Sequence, residues 1–143
     1  MNTKTYLSQA RYLDMRIKSK LQQIESLNEL AMNCSSVLTG MPRNPNSGDS
    51  KMADAVCKMI DLQNELKRDI EALVDLKKEI MNTIRLVTDA EQQTLLEKRY
   101  LCFLSWEKIA VEMHYSIQHI YRMHDEALNV VDTILAMRVN ESE

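Results

Sequence analysis

Apolar residues in the first part of the chain recur at alternating intervals of four and three. The first series runs Tyr6, Ala10, Leu13, Ile17, Lys20, Ile24, Leu27, Ala31, Cys34 and Leu38. A second series runs Met52, Val56, Met59, Gln63, Leu66, Ile70, Leu73, Lys77, Ile80, Ile84 and Val87. This spacing is typical of a heptad seam between packed helices, with the polar members setting the register. The pattern predicts two helices of roughly 36 residues each.

One break in composition separates the two series. Residues 39–50 contain both glycines and both prolines of the chain, which predicts a loop. Two equal helices joined by one loop predict a long antiparallel, coiled-coil-like helical hairpin over residues 1–87. Apolar residues also flank both seams, and burying them needs another layer. We favour a homodimer through residues 1–87, and packing of the C-terminal helices against the hairpin is the alternative.

The spacing changes after Val87. Thr88 and Glu91 form a capping box, which predicts a helix that ends at about Leu101. The residues expected to face the core from this helix are Leu95, Leu96 and Tyr100. A short break follows before the next predicted helix.

Two serines mark the starts of two further helices. Ser105 is the predicted N-cap of a helix from Trp106 to Met113, and Ser116 is that of a helix to about Met137. Residues 138–143 are expected to form a flexible polar tail.

Two helices joined by a three-residue turn after a support helix form the helix-turn-helix pattern. Ala110 fits this pattern because a large side chain there would hold the crossing helices apart. The same spacing also fits a three-helix bundle without a DNA role. The other residues predicted to close the core are Ile109, Met113, Tyr115, Ile120, Met123, Trp106 and Leu128. The predicted fold is therefore all-α, a long hairpin followed by a three-helix unit over residues 88–137.

The C-terminal third of the chain resembles region 4 of primary and alternative sigma factors. The matching segments are Glu91–Tyr100, Leu104–Ala110 and Met113–Ser116, followed in register by Ile120, Met123, His124, Ala127 and Leu128. The whole chain resembles a group of small phage and prophage proteins of Gram-positive bacteria. These proteins carry a sigma region 4-like C-terminus and are related to phage late-gene transcription activators.

The resemblance implies that the last helix enters the major groove of promoter DNA. The residues expected to face outward are Ile117, Gln118, His119, Tyr121, Arg122 and Asp125. Arg122 is suited to a bidentate contact with guanine, and Gln118 to a contact with adenine. Ser105, Lys108 and Ser116 are candidate phosphate contacts, because helix N-termini attract anions.

The unit departs from sigma region 4 in three ways. His114 stands where the turn usually carries glycine, so it must adopt a positive φ. Ile117 stands where sigma factors often carry arginine. Residues 89–135 hold four basic and eight acidic residues, whereas region 4 is far more basic. We therefore expect weak DNA binding by the unit alone, strengthened by dimerisation or by RNA polymerase, whose flap region 4 contacts.

Composition and motifs argue against several other classes of protein. The net charge is −3, and no segment approaches the ~20 apolar residues of a bilayer span. Cys34, Cys57 and Cys102 lack the paired spacing of a disulfide or zinc motif, so we expect a reducing cytosolic compartment. The resemblance to phage proteins implies the cytoplasm of a bacterial host. His119 and His124 fall on different helix faces, which argues against a metal site. No catalytic motif is present, so we expect no enzyme activity, cofactor, metal or small-molecule substrate.

The leading hypothesis is a phage-type transcriptional regulator. Its C-terminal unit would bind promoter DNA, RNA polymerase or both, and its hairpin would set the oligomeric state. One alternative is a protein–protein adaptor that works through the hairpin. The other is a small DNA-packaging recognition subunit, which would form rings.

Overall fold

The computed structural model describes residues 2–38 and 45–142, which form five α-helices and no strand. The helices are α1 (Thr3–Leu38), α2 (Pro45–Ile84), α3 (Ala90–Tyr100), α4 (Trp106–Met113) and α5 (Ile117–Glu141). The prediction of an all-α fold is confirmed. None of the helices in the described part of the chain combines the length and the apolar character that a membrane crossing requires.

The second long helix begins earlier than predicted. Residues 45–50 were predicted as loop, but α2 begins at Pro45 and includes them. Proline suits the first position of a helix, because the N–H it lacks would have no partner there. The other half of the predicted loop, residues 39–44, lies outside the described residues.

The last helix ends later than predicted. It continues past Met137 to Glu141, so residues 138–141 of the predicted flexible tail are helical. Arg138 explains the extension, because its Nη1 donates a hydrogen bond to the buried Thr83 Oγ1 at 2.7 Å.

The chain divides into two compact units. The first unit comprises Met1–Leu13 and Leu73–Glu143, and the second unit comprises Asp14–Ala72. The predicted boundary after residue 87 differs from this division. The start of α1 and the end of α2 pack in one core with α3 and α5. The buried members of that core are Leu7, Ala10, Ile80, Ile84, Val87, Leu96, Tyr100, Ala127 and Val131. The C-terminal helices therefore supply a further layer in the first unit.

In the second unit, α2 departs from the predicted seam at three positions. Ala55 is buried and Leu62 is half-buried, whereas Val56, Gln63 and Ile70 of the predicted series are exposed. At each of these positions the residue that faces inward is the one immediately before the predicted residue. The predicted seam of α2 is therefore wrong at these positions.

An ion pair lies at one of these positions. Lys20 of α1 is 9% exposed and pairs with Asp69, with Glu65 Oε2 at 3.4 Å from its Nζ. A buried ammonium group requires a charged partner. The pair with Lys20 places Asp69 at the seam in the position predicted for Ile70.

Candidate nucleic-acid interface

The N-cap of α3 differs by one residue from the prediction. Asp89, not Thr88, is the N-cap, and its Oδ1 accepts a hydrogen bond from Gln92 N at 3.0 Å. The predicted capping box fails on its other side too, because Glu91 Oε1 accepts from the Tyr115 hydroxyl at 2.6 Å. Glu91 thereby ties the start of α3 to the turn before α5.

The turn between α4 and α5 has the predicted conformation. His114 adopts φ 61° and ψ 39°, a left-handed conformation that ends α4 where glycine is usual. Tyr115 N donates to Ala110 O at 3.1 Å and closes the turn. Ser116 then caps α5 by accepting from His119 N at 3.2 Å, as predicted.

The core of α3–α5 locks one face of α5. Ile120 is fully buried and Met123 is 7% exposed. They pack in one cluster with Leu95, Ile109 and Ala110, as the sequence predicted. The opposite face of α5 is therefore held toward solvent.

The structure separates the eight candidate contact residues by exposure. Those exposed are Ser105, Lys108, Ser116, Gln118, Tyr121 and Arg122. Ile117 and His119, predicted to face outward, are half-buried. The His119 ring lies 4.4 Å from the ring of Tyr115, which covers part of it. Gln118, Tyr121 and Arg122 thus share one exposed face of α5.

An aromatic contact joins the start of α4 to this face. The Trp106 ring meets the Tyr121 ring edge-on at 5.6 Å between centroids. The Arg99 guanidinium lies over Trp106 at 4.3 Å and donates from Nη1 to Leu104 O at 2.9 Å. Arg99 and Trp106 thus position Tyr121. Sequence reasoning missed this role, because it treated Arg99 only as a charge and Trp106 only as core.

A buried histidine lies beneath the same aromatic cluster. His124 Nε2 shares a 2.6 Å hydrogen bond with the Tyr100 hydroxyl, and its ring lies 4.5 Å from Trp106. Burial lowers the pKa of His124 to about 4 and raises that of Tyr100 to about 12. His124 is therefore neutral at pH 7 and adds no charge to the interface. The sequence does not show that His124 is buried. Its burial follows from the packing of α5 against two core clusters, one containing Met123 and the other Ala127.

Carboxylates surround Arg122. It borders a surface cleft of about 360 Å³ together with Asp89, Glu91, His119 and Glu126. Asp89 caps α3 and Glu91 binds Tyr115, so these two carboxylates are already engaged. They still weaken the attraction of this surface for phosphate.

Comparison of the chain with protein-family models, with curated proteins and with solved structures gave no match. The resemblance to sigma region 4 accordingly enters the functional argument as a hypothesis.

Proposed function

We propose that the chain is a phage-type transcriptional regulator that binds promoter DNA through α5. In this proposal α3–α5 act as a helix-turn-helix unit, and α5 is the helix that enters the major groove. The main support is the exposed face of Gln118, Tyr121 and Arg122 on a helix whose other face is fixed by Ile120 and Met123. A rigid helix with amide and guanidinium groups outward fits the size and hydrogen-bonding pattern of the major groove.

A second copy of the chain completes the proposed DNA-binding species. We interpret α1 and α2 as the arms of an antiparallel hairpin. In the second unit Leu21, Leu30 and Ile60 are 49%, 55% and 50% exposed. Burying such side chains is the main source of free energy for association. A two-fold dimer would present two α5 helices to half-sites roughly 34–36 Å apart.

RNA polymerase is the second proposed partner. Segment 89–135 carries twice as many acidic as basic residues, so phosphate attraction is weak. Attachment to polymerase would raise the effective concentration of α5 at the promoter. The acidic cleft beside Arg122 favours a protein contact on this unit.

The proposal is tested by selecting bound sequences from a random duplex pool, with and without RNA polymerase. The full chain should enrich a site in at least one condition. Arg122→Ala and Gln118→Ala should each lose about 1–3 kcal/mol of discrimination at one base position. Arg68→Ala is a matched control, because Arg68 is exposed in the second unit.

The adaptor hypothesis predicts the opposite result. An adaptor would enrich no sequence in either condition, even at about 50 mM salt, where phosphate contacts are strongest. Arg122→Ala would then change nothing.

A further inference from the structure

The first turns of α1 are built into the same unit as α5. Thr3 Oγ1 donates a hydrogen bond to Asp132 Oδ1 of α5 at 3.0 Å. Leu7 and Ala10 are fully buried, and they belong to the core cluster that contains Tyr100 of α3. This end of α1 is therefore a fixed part of the unit that carries the candidate interface.

Two cations border the docked face of α1. Lys4 precedes Leu7 by three residues and Arg11 follows it by four, so all three lie on the same side of the helix. Lys4 is exposed and Arg11 is half-buried. Within the described residues, neither side chain makes a hydrogen bond or an ion pair.

Both cations lie close enough to α3 and α5 to change their electrostatics. Burial is the main cause of the lowered pKa of Arg99, and the like charge of Arg11 adds to it, against an opposing effect of Glu107. The charge of Lys4 likewise adds to the burial that lowers the pKa of His124, against Asp125. Arg11 follows Ala10, and Arg99 precedes Tyr100, which packs in one cluster with Ala10. A bound polyanion would be attracted by both like charges.

The Arg99 guanidinium connects this basic group to the face of α5. It lies over Trp106, and Trp106 meets Tyr121. We propose that Lys4 and Arg11 contact the DNA phosphates beside the groove that α5 enters. This inference rests on the proposed DNA-binding function. In this inference α1 contacts the DNA backbone directly, in addition to packing in the core of the first unit.

The test is the salt dependence of DNA affinity. The full chain is titrated against a dye-labelled, mixed-sequence duplex of two helical turns at several salt concentrations, with anisotropy as the readout. Arg11→Gln and Lys4→Gln should each lower the slope of log affinity against log salt by about 0.9. The sequence preference should not change, since phosphate contacts carry no base information.

Matched variants separate charge from packing. Arg11→Lys keeps the charge and should restore the slope. Arg68→Gln and Lys78→Gln remove a charge from exposed positions and should leave it unchanged. Lys78 lies two residues from the buried Ile80, so it points to the opposite side of α2.

Two results overturn the inference, and they differ in what else they overturn. If the wild-type chain binds the duplex and the slopes of Arg11→Gln and Lys4→Gln equal the wild-type slope, only the role of α1 is wrong. If the wild-type chain binds no duplex at any salt, with or without RNA polymerase, the proposed function fails with it.

Discussion

The two units of the chain bury their side chains in different ways. Among the described residues, every large side chain sealed from solvent belongs to the first unit, namely Leu7, Ile80, Thr83, Ile84, Leu95, Leu96, Ile109, Ile120 and Val131. Where the structure describes side chains of the second unit, the buried residues are Ile17, Lys20, Ala31, Ala55 and Leu66, each 7–9% exposed. The first unit has a core surrounded on all sides by helices. The second unit has a narrow seam, and its stability depends on what covers its flanks.

The largest expected difference is in the cost of shortening a core side chain. Leu95→Ala should lower the free energy of unfolding by about 2–5 kcal/mol, because it leaves a closed cavity. Ile17→Ala should cost less, since water reaches the seam and the helices are free to close in. Urea unfolding followed by circular dichroism, with Trp106 emission reporting the first unit, measures both. Equal costs would contradict the comparison.

The first unit should also lose stability in acid. His124 has a folded pKa of about 4 against an ordinary value near 6.5. As the pH falls, His124 therefore binds a proton in the unfolded chain at a higher pH than in the folded chain. The free energy of unfolding should drop by about 3 kcal/mol between pH 6.5 and 4, and its loss ends below the folded pKa.

In the His124→Phe variant, the free energy of unfolding should change much less between pH 6.5 and 4. His114→Asn is the control, because His114 is exposed and asparagine tolerates its left-handed backbone. If His124→Phe keeps the wild-type dependence on pH, another group is responsible.

In the second unit the ion pair of Lys20 and Asp69 should set register more than stability. Lys20→Met leaves the Asp69 carboxylate unpaired at the seam and should cost about 2 kcal/mol. The double variant Lys20→Met with Asp69→Leu should recover most of that loss. Thermal unfolding by circular dichroism measures all three chains. A double variant no better than Lys20→Met would mean that the pair itself stabilises the seam.

The smallest effect on folding is expected at the exposed flank. Leu21→Glu and Ile60→Glu should change the free energy of unfolding of the monomer by less than about 0.5 kcal/mol. They should nevertheless convert the proposed dimer to a monomer, as measured by sedimentation equilibrium. Asn129→Glu adds the same charge at an exposed position of α5, outside residues 1–87, and should leave the dimer intact.

Local signals made α3–α5 predictable. The caps Ser105 and Ser116 and the positive φ of His114 depend on residues within one turn, and each prediction is confirmed. The seam of α2 depends on a distant partner. Val56 and Ala55 are both apolar, so their local sequence does not decide which of the two faces α1.

The candidate interface was predictable in part. Gln118, Tyr121 and Arg122 lie outward because the apolar period of α5 sets its inner face. The apolar periodicity does not predict that Arg99 lies over Trp106. It also does not predict that the start of α1, with Lys4 and Arg11, packs in the same unit as α5.

A titration of the chain with duplex DNA tests the central claim most directly. Trp106 is the single tryptophan and contacts Tyr121 on the proposed DNA-binding face, so its emission reports occupancy. At about 50 mM salt, where phosphate contacts are strongest, we expect a saturable change in emission that Arg122→Ala weakens about tenfold or more. Unchanged emission with no complex formed, with or without RNA polymerase, would contradict the account.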